Sequence, residues 1–288
     1  MKFSFVAGCL VMGISVSAFA QSPDTRLTKF LAKFPAADSD ADGKLTMEEA
    51  LAYRKKMRGD KTSTRKQPDS PAKRYPIEEL AELYEARDFR GMPFRFFEPE
   101  IKEGEKYPLV LSLHGAGGKG RDNRKNLKPW NGTLAEPELQ KKYPCFIVAP
   151  QSAGPWRVAG KDPDLTAELV ATFPPVWKQV MEKRAGFVAK SDDGVLGIVF
   201  DLLDQIAETY PVDVDRVYVL GHSMGGFGTF ESIARQPNRF AAAIPSAGGL
   251  VPWHDPETFK HVPVWAFHGE QDSTVIPELT GVVFEQMK

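Results

Sequence analysis

The feature that most constrains this chain is Gly221-His222-Ser223-Met224-Gly225, placed between the apolar run Val217-Tyr218-Val219-Leu220 and a helix-prone stretch, residues 224–235. A strand that turns sharply into a helix at a glycine-flanked serine leaves the hydroxyl projecting above the end of the strand. The glycines are needed because such a turn strains the serine backbone, and side chains on its neighbours would collide with the adjoining strand and helix. Ser223 is therefore the candidate nucleophile.

Two further segments supply what a serine nucleophile requires. Upstream, Leu109-Val110-Leu111-Ser112-Leu113 reads as a strand and runs into His114-Gly115-Ala116-Gly117-Gly118, a glycine-rich loop able to aim backbone N–H groups at a developing oxyanion. The main-chain amides of Ala116 and of Met224, the residue after the nucleophile, are the expected donors. Downstream, Val262-Pro263-Val264-Trp265-Ala266-Phe267 leads into His268-Gly269-Glu270-Gln271-Asp272. Asp272 is the candidate acid that would orient a histidine, with Glu270 as the alternative carboxylate.

Together these motifs resemble the α/β-hydrolase superfamily, in particular secreted bacterial esterases grouped with polyhydroxybutyrate-depolymerase-like, feruloyl-esterase-like and phospholipase/carboxylesterase-like proteins. The resemblance covers about residues 88–288. It implies a mostly parallel sheet with helices on both faces. It also implies ester hydrolysis through a Ser-Asp-His triad and an acyl-enzyme, with no cofactor for catalysis. The same pattern places the catalytic histidine after Asp272, beyond one more helix and one more strand.

All five histidines, His114, His222, His254, His261 and His268, precede Asp272, and sixteen residues follow it. Sixteen residues accommodate one helix but not a helix, a strand and a loop. The expectation is thus a C-terminally truncated hydrolase domain, residues 76–288, lacking its last strand and general base and nearly inactive, because serine without a positioned base is a weak nucleophile. His254 and His261 fall in the segment joining two expected strands and read as structural or surface residues, whereas His114 and His222 fit the motifs as scaffold. A different class of reading makes the chain a calcium-binding docking protein with a catalytically dead hydrolase domain. A serine peptidase of the same fold is a further alternative, since fold alone does not settle chemistry.

The calcium reading comes from residues 38–49, Asp-Ser-Asp-Ala-Asp-Gly-Lys-Leu-Thr-Met-Glu-Glu, which match the EF-hand loop. The expected Ca²⁺ ligands are Asp38, Asp40, Asp42, the Lys44 carbonyl, Thr46 directly or through water, and bidentate Glu49. Gly43 supplies the sharp turn and Leu45 the inward apolar residue. Leu27, Phe30, Leu31 and Phe34 recur at helical spacing before the loop, and Met47, Ala50, Leu51 and Met57 after it. Pro35 should bend or end the first helix early. The helix-loop-helix spans residues 24–58. Its lone hand suggests a structural ion or a protein-docking role rather than control of catalysis.

Residues 1–20 read as a signal peptide: Lys2, an apolar run, then Ala18-Phe19-Ala20 as the cleavage site, which implies a secreted or periplasmic protein. Cys9 sits in a lipobox-like Val6-Ala7-Gly8-Cys9 with too short an apolar lead for lipidation. Processing leaves Cys145 alone, in a buried-strand context and without a disulfide partner. With 37 basic and 38 acidic residues, a net charge of −1 argues against a nucleic-acid-binding surface. Residues 59–75, rich in Lys, Ser, Thr, Pro and Arg, read as a flexible linker.

The remaining expected strands lie near residues 92–97, 146–149, 240–244 and 263–267. A helix is expected at 195–210, with Asp192 or Asp193 as its cap. Strands alternating with helices give the parallel sheet, with the site at the strands' C-terminal ends. The insertion 152–190 carries Trp156, Phe173, Trp177 and Phe187, which serve either as a lid or pocket wall or as ordinary core. The expected substrate is a small-molecule or polymer ester.

Overall fold

The computed structural model describes residues 31–32, 34–46, 49, 52–53, 75–183 and 194–287. The expected signal peptide, most of the linker, both candidate caps Asp192 and Asp193, Phe187 and most of the two EF-hand helices lie outside those residues. The chain separates into two compact units, Met1–Pro71 and Ala72–Lys288.

The larger unit runs through α1 (Ile77–Glu82), β1 (Glu85–Phe89), β2 (Met92–Phe97), β3 (Tyr107–Leu113), α2 (Pro129–Leu134), α3 (Pro137–Lys142) and β4 (Phe146–Pro150). It continues through α4 (Ala167–Ala171), α5 (Pro175–Lys183), α6 (Leu196–Thr209), β5 (Val212–His222), α7 (Met224–Arg235), β6 (Ala242–Ser246) and α8 (Glu278–Gln286). The strands form one sheet in the order β1-β2-β4-β3-β5-β6. The β1–β2 and β2–β4 pairs are antiparallel, whereas β4, β3, β5 and β6 run parallel.

Side-chain alternation divides β3 between two cores. Leu109, Leu111 and Leu113 share one face with Phe96, Phe146, Val148 and Val219, and α6 covers it with Leu196, Val199, Phe200, Leu203 and Ile206. Val110 on the other face joins Ile147, Ala149, Leu80, Ala81, Tyr84 and Leu127. Burial on both faces explains why β3 and β4 read as nearly continuous apolar runs.

Strand β1 is absent from the expected elements. Its sequence, Glu-Ala-Arg-Asp-Phe, is polar because it is an edge strand, and it returns to β2 through Arg90 and Gly91, whose φ values are 51° and 79°. Two consecutive positive φ angles make the tight hairpin turn that matches strand twist. The helix expected at 195–210 forms at Leu196–Thr209, and its N-cap is Val195, without a side-chain cap.

The expected strand at 263–267 is held more loosely, by bridges Ala243–Val264 and Ser246–Phe267 alone. The Trp265 and Phe267 amides donate to the Ala243 and Pro245 carbonyls at 2.9 and 3.0 Å. Among the described residues nothing pairs with its other side. Trp265 is 67% exposed and Phe267 46%, beside Ile244 at 38%, so this end of the sheet presents an open edge and an uncovered apolar face.

The described aromatics of the insertion are core residues. Trp156 and Trp177 are 1% exposed and Phe173 2%. Phe173 and Trp177 join Val275 and Leu279 of the α8 region, which resolves the choice between pocket wall and packing in favour of packing.

In the smaller unit, Ala37 and Leu45 are buried, with Leu31, Phe34 and Tyr53 packed around them. Pro35 opens a 3-10 turn, Pro35–Ala37, because its ring locks φ and cannot donate to a continuing helix. No helix among the described residues is long and apolar enough to cross a membrane.

Candidate active site

Strand β5 delivers Ser223 at its C-terminal end, and α7 begins at the next residue. Ser223 has φ 56° and ψ −117°, a strained conformation for a residue with a side chain. Two hydrogen bonds hold it there: its amide donates to the Ser246 carbonyl at 2.8 Å, and its carbonyl accepts from the Phe227 amide at 3.0 Å. The turn demands glycine at 225, where a Cβ would stand 2.1 Å from the Leu113 carbonyl oxygen.

The loop after β3 lies against this elbow. A Cβ built on Gly115 would come within 3.6 Å of the Ser223 Cβ. The loop is a short 3-10 turn, Ala116–Gly118, closed by Gly118 N–H to Gly115 O at 2.9 Å and Lys119 N–H to Ala116 O at 3.1 Å. Among the described residues, the Ala116 and Met224 amides have no hydrogen-bond acceptor. That leaves a pair of backbone donors on the two segments flanking the serine, the arrangement an oxyanion needs.

His114 is scaffold. It is fully buried, its Nε2 accepts from the Ser152 amide at 3.0 Å, and Nδ1 therefore carries the hydrogen donated to the Gly115 carbonyl at 2.8 Å. Burial pushes its pKa down to about 4, so the ring is neutral near pH 7. Trp156 completes the anchor by donating its indole N–H to the His114 carbonyl at 2.8 Å. Gln151, at the end of β4, donates to the Gly118 carbonyl and to Asp122, each at 3.0 Å, and accepts from the Asn123 amide at 2.5 Å.

Asp272 follows segment 264–267, whose Phe267 bridges Ser246, the residue that also holds Ser223. One of its oxygens accepts from the Thr274 and Val275 amides at 2.8 and 2.9 Å, and the other lies 3.8 Å from His268 Nε2. The Val275 amide, then that of Thr274, holds its carboxyl below the ordinary value. Glu270 is exposed. Among the described residues it makes no ion pair.

No described histidine hydrogen-bonds to Ser223. His268 is committed to Thr280 Oγ1 at 2.6 Å and the Val275 carbonyl at 2.7 Å. His222 Nδ1 lies 3.2 Å from Ser246 Oγ, and His254 Nε2 lies 3.0 Å from Glu231. His261 is exposed.

That last contact belongs to a cluster no motif announced. Glu231 on α7 is 2% exposed and meets Arg235 at 2.8 Å and Arg157 at 3.6 Å. Arg157 and Arg235 also meet buried Asp162, at 2.7 and 3.3 Å. The only signal in the sequence was a glutamate within the buried stretch of a helix.

In the smaller unit, carboxylate oxygens of Asp38, Asp40 and Asp42 lie within 4.8 Å of one another. Gly43 has φ 80°. Glu49 is tied instead to Ser39, through amide and hydroxyl at 2.9 and 2.8 Å, and to Thr46 at 3.0 and 2.8 Å. These bonds, the Thr46 amide first, hold its carboxyl down to about 2. An all-oxygen donor set with one sharp glycine turn fits a hard divalent cation, with Lys44 offering only its carbonyl.

Comparison with known proteins gives three findings. Residues 203–287 match the PETase family, described as PET hydrolase-like. A 77-residue stretch is 32% identical to a bifunctional acetylxylan esterase/xylanase of Neocallimastix patriciarum, covering 27% of this chain and 11% of that protein. The solved structure of a thermostable esterase superposes with a TM-score of 0.58 at 30% identity, over 72% of this chain and 52% of the other. The chain thus spans about half the length of that esterase, and its fold is the α/β-hydrolase fold.

Proposed function

We propose that this chain carries the nucleophile of a serine hydrolase acting on carboxylic esters. Ser223 attacks the ester carbonyl, the Ala116 and Met224 amides hold the oxyanion, and Asp272 orients the imidazole that takes the serine proton. The observation that carries this reading is the strained φ of Ser223 at a strand–helix junction, with the Gly115 loop packed beside it and, among the described residues, the Ala116 and Met224 amides without acceptors. The names of the relatives, an acetylxylan esterase/xylanase and a thermostable esterase, favour an ester over a peptide bond.

Among the described residues no histidine hydrogen-bonds to Ser223, and His114, His254 and His268 are engaged elsewhere. In a catalytically active form of the protein, a fluorophosphonate probe is expected to label Ser223. In the same form, Ser223→Ala is expected to lose at least about a thousandfold in p-nitrophenyl acetate turnover. Label on another residue, or turnover that survives the substitution, overturns the assignment.

Residues 38–49 are proposed to bind Ca²⁺ as a separate, non-catalytic element, supported by the convergence of Asp38, Asp40 and Asp42. Secretion through residues 1–20 completes the proposal, resting on the signal-peptide pattern.

A further inference from the structure

We infer that the cationic loop following the oxyanion turn binds the carboxylates of an acidic polysaccharide, so that the substrates are esters carried on uronic-acid-containing carbohydrate. The inference rests on the ester-hydrolase reading and names its substrate class.

Residues 119–128 hold Lys119, Arg121, Arg124, Lys125 and Lys128 against the single carboxylate Asp122, a local charge of +4 in a chain whose net charge is −1. Asp122 is used up in folding the loop. Its Oδ1 accepts from the Arg124 and Lys125 amides at 2.9 and 3.0 Å and from Gln151 at 3.0 Å, and its Oδ2 meets Lys125 Nζ at 3.3 Å. Those bonds hold the Asp122 carboxyl well below the ordinary carboxylate range, the Lys125 amide being the largest cause.

With the acid so engaged, the cations face water. Lys119, Arg121, Arg124 and Lys125 are all exposed. Arg121 donates from its guanidinium to the Gly91 carbonyl, which holds that charge near the β1–β2 turn. Among the described residues, Lys119 and Arg124 make no ion pair. On the neighbouring hairpin turn Arg90 is paired with Asp201, so the free positive charge is concentrated on the loop.

Position gives the charge its meaning. Lys119 ends the 3-10 turn that begins at Ala116, and its amide closes that turn. The charges of Lys128 and Lys119 also add to burial in pushing the His114 pKa down, so the field of the loop reaches the residue that anchors the oxyanion turn. Exposed cations beside a reaction site raise the local concentration and arrival rate of anionic substrates, in a salt-dependent way. Residues 119–125 contain no aromatic ring on which a nucleobase could stack and no large apolar side chain to enter a bilayer. Separate charges on a polar loop suit the spaced carboxylates of a uronic-acid polymer.

The test is affinity electrophoresis of the full chain in gels containing polygalacturonate, neutral arabinoxylan or DNA, at about 20 mM and about 500 mM NaCl. Retardation by polygalacturonate alone at low salt, lost at high salt, is expected. Lys119→Glu/Arg124→Glu should weaken apparent affinity by at least about tenfold, whereas the same reversal at Lys141 and Lys142 on α3 should not. The milder Lys119→Gln/Arg124→Gln pair, checked by circular dichroism, covers the event that charge reversal disturbs folding. No retardation of the wild type, equal retardation of both loop variants, or equal retardation by DNA overturns the inference. Probe labelling of Ser223 is read separately. Labelling without retention removes the loop proposal alone, and retention by a protein that turns over esters without labelling at Ser223 removes the serine-hydrolase reading.

Discussion

At the scale of single residues, the candidate site depends on groups that never touch a substrate. A neutral His114 bridges the start of the oxyanion turn to Ser152, and both of its ring nitrogens are used. Its folded pKa, about 4, lies below the ordinary 6.5 because burial disfavours the charged ring. The unfolded chain therefore binds the proton first as pH falls. This contribution to stability is complete above about pH 6.5 and is lost progressively toward pH 4, at most about 3 kcal/mol. Thermal melts of wild type and His114→Gln should show their difference shrinking across that window. A constant difference would mean that the His114 ring takes up its proton as readily in the folded chain as in the unfolded one.

At the scale of elements, α7 begins directly after the candidate nucleophile Ser223 and is clamped further along by the Glu231 cluster. Glu231 takes Arg235, Arg157 and His254, which tie the helix to the insertion and to the segment after β6. Removing one charge from a buried, paired group is costly because it strands its partners. Glu231→Gln is expected to destabilise the larger unit by about 3 kcal/mol, read as a lowered urea midpoint, while leaving probe labelling of Ser223 at saturating probe unchanged below the transition. A midpoint unchanged from wild type would show that the cluster is solvated and energetically idle.

At the scale of the whole molecule, the chain divides into two compact units, and a separate chemistry is proposed for each. The clustered carboxylates of the smaller unit repel one another until a cation compensates them. The Asp42 amide pulls the Asp40 carboxyl down, yet burial and the neighbouring carboxylates push it above its ordinary value overall. Calorimetric titration of the full chain with Ca²⁺ is expected to give a Kd on the order of 0.1 to 1 mM, abolished by Asp38→Ala/Glu49→Gln. Chelation should leave labelling of Ser223 unchanged. Identical titrations of variant and wild type would make the motif vestigial, and loss of labelling on chelation would couple the two units.

What the amino-acid order determined by itself was local and periodic. The elbow at Ser223, the glycine loop at 115–118, the apolar cores of β3 and β4 and the helix at Leu196–Thr209 follow from backbone sterics and from side-chain spacing within a few residues. Strand β1 was missed because an edge strand needs no apolar alternation, and the turn that makes it a strand lies in two positive φ angles. The roles of the aromatics at 156, 173 and 177 were likewise open in the sequence, since a buried ring and a pocket wall use the same residue type. Only the tertiary structure decided them, and it alone brought Glu231 to Arg157, set Gly115 against Ser223 and assigned every nitrogen of His114. Apart from the His114 Nδ1 bond to its neighbour Gly115, those contacts join residues far apart in the chain, where distance is set by the packing of the whole sheet and no spacing rule operates.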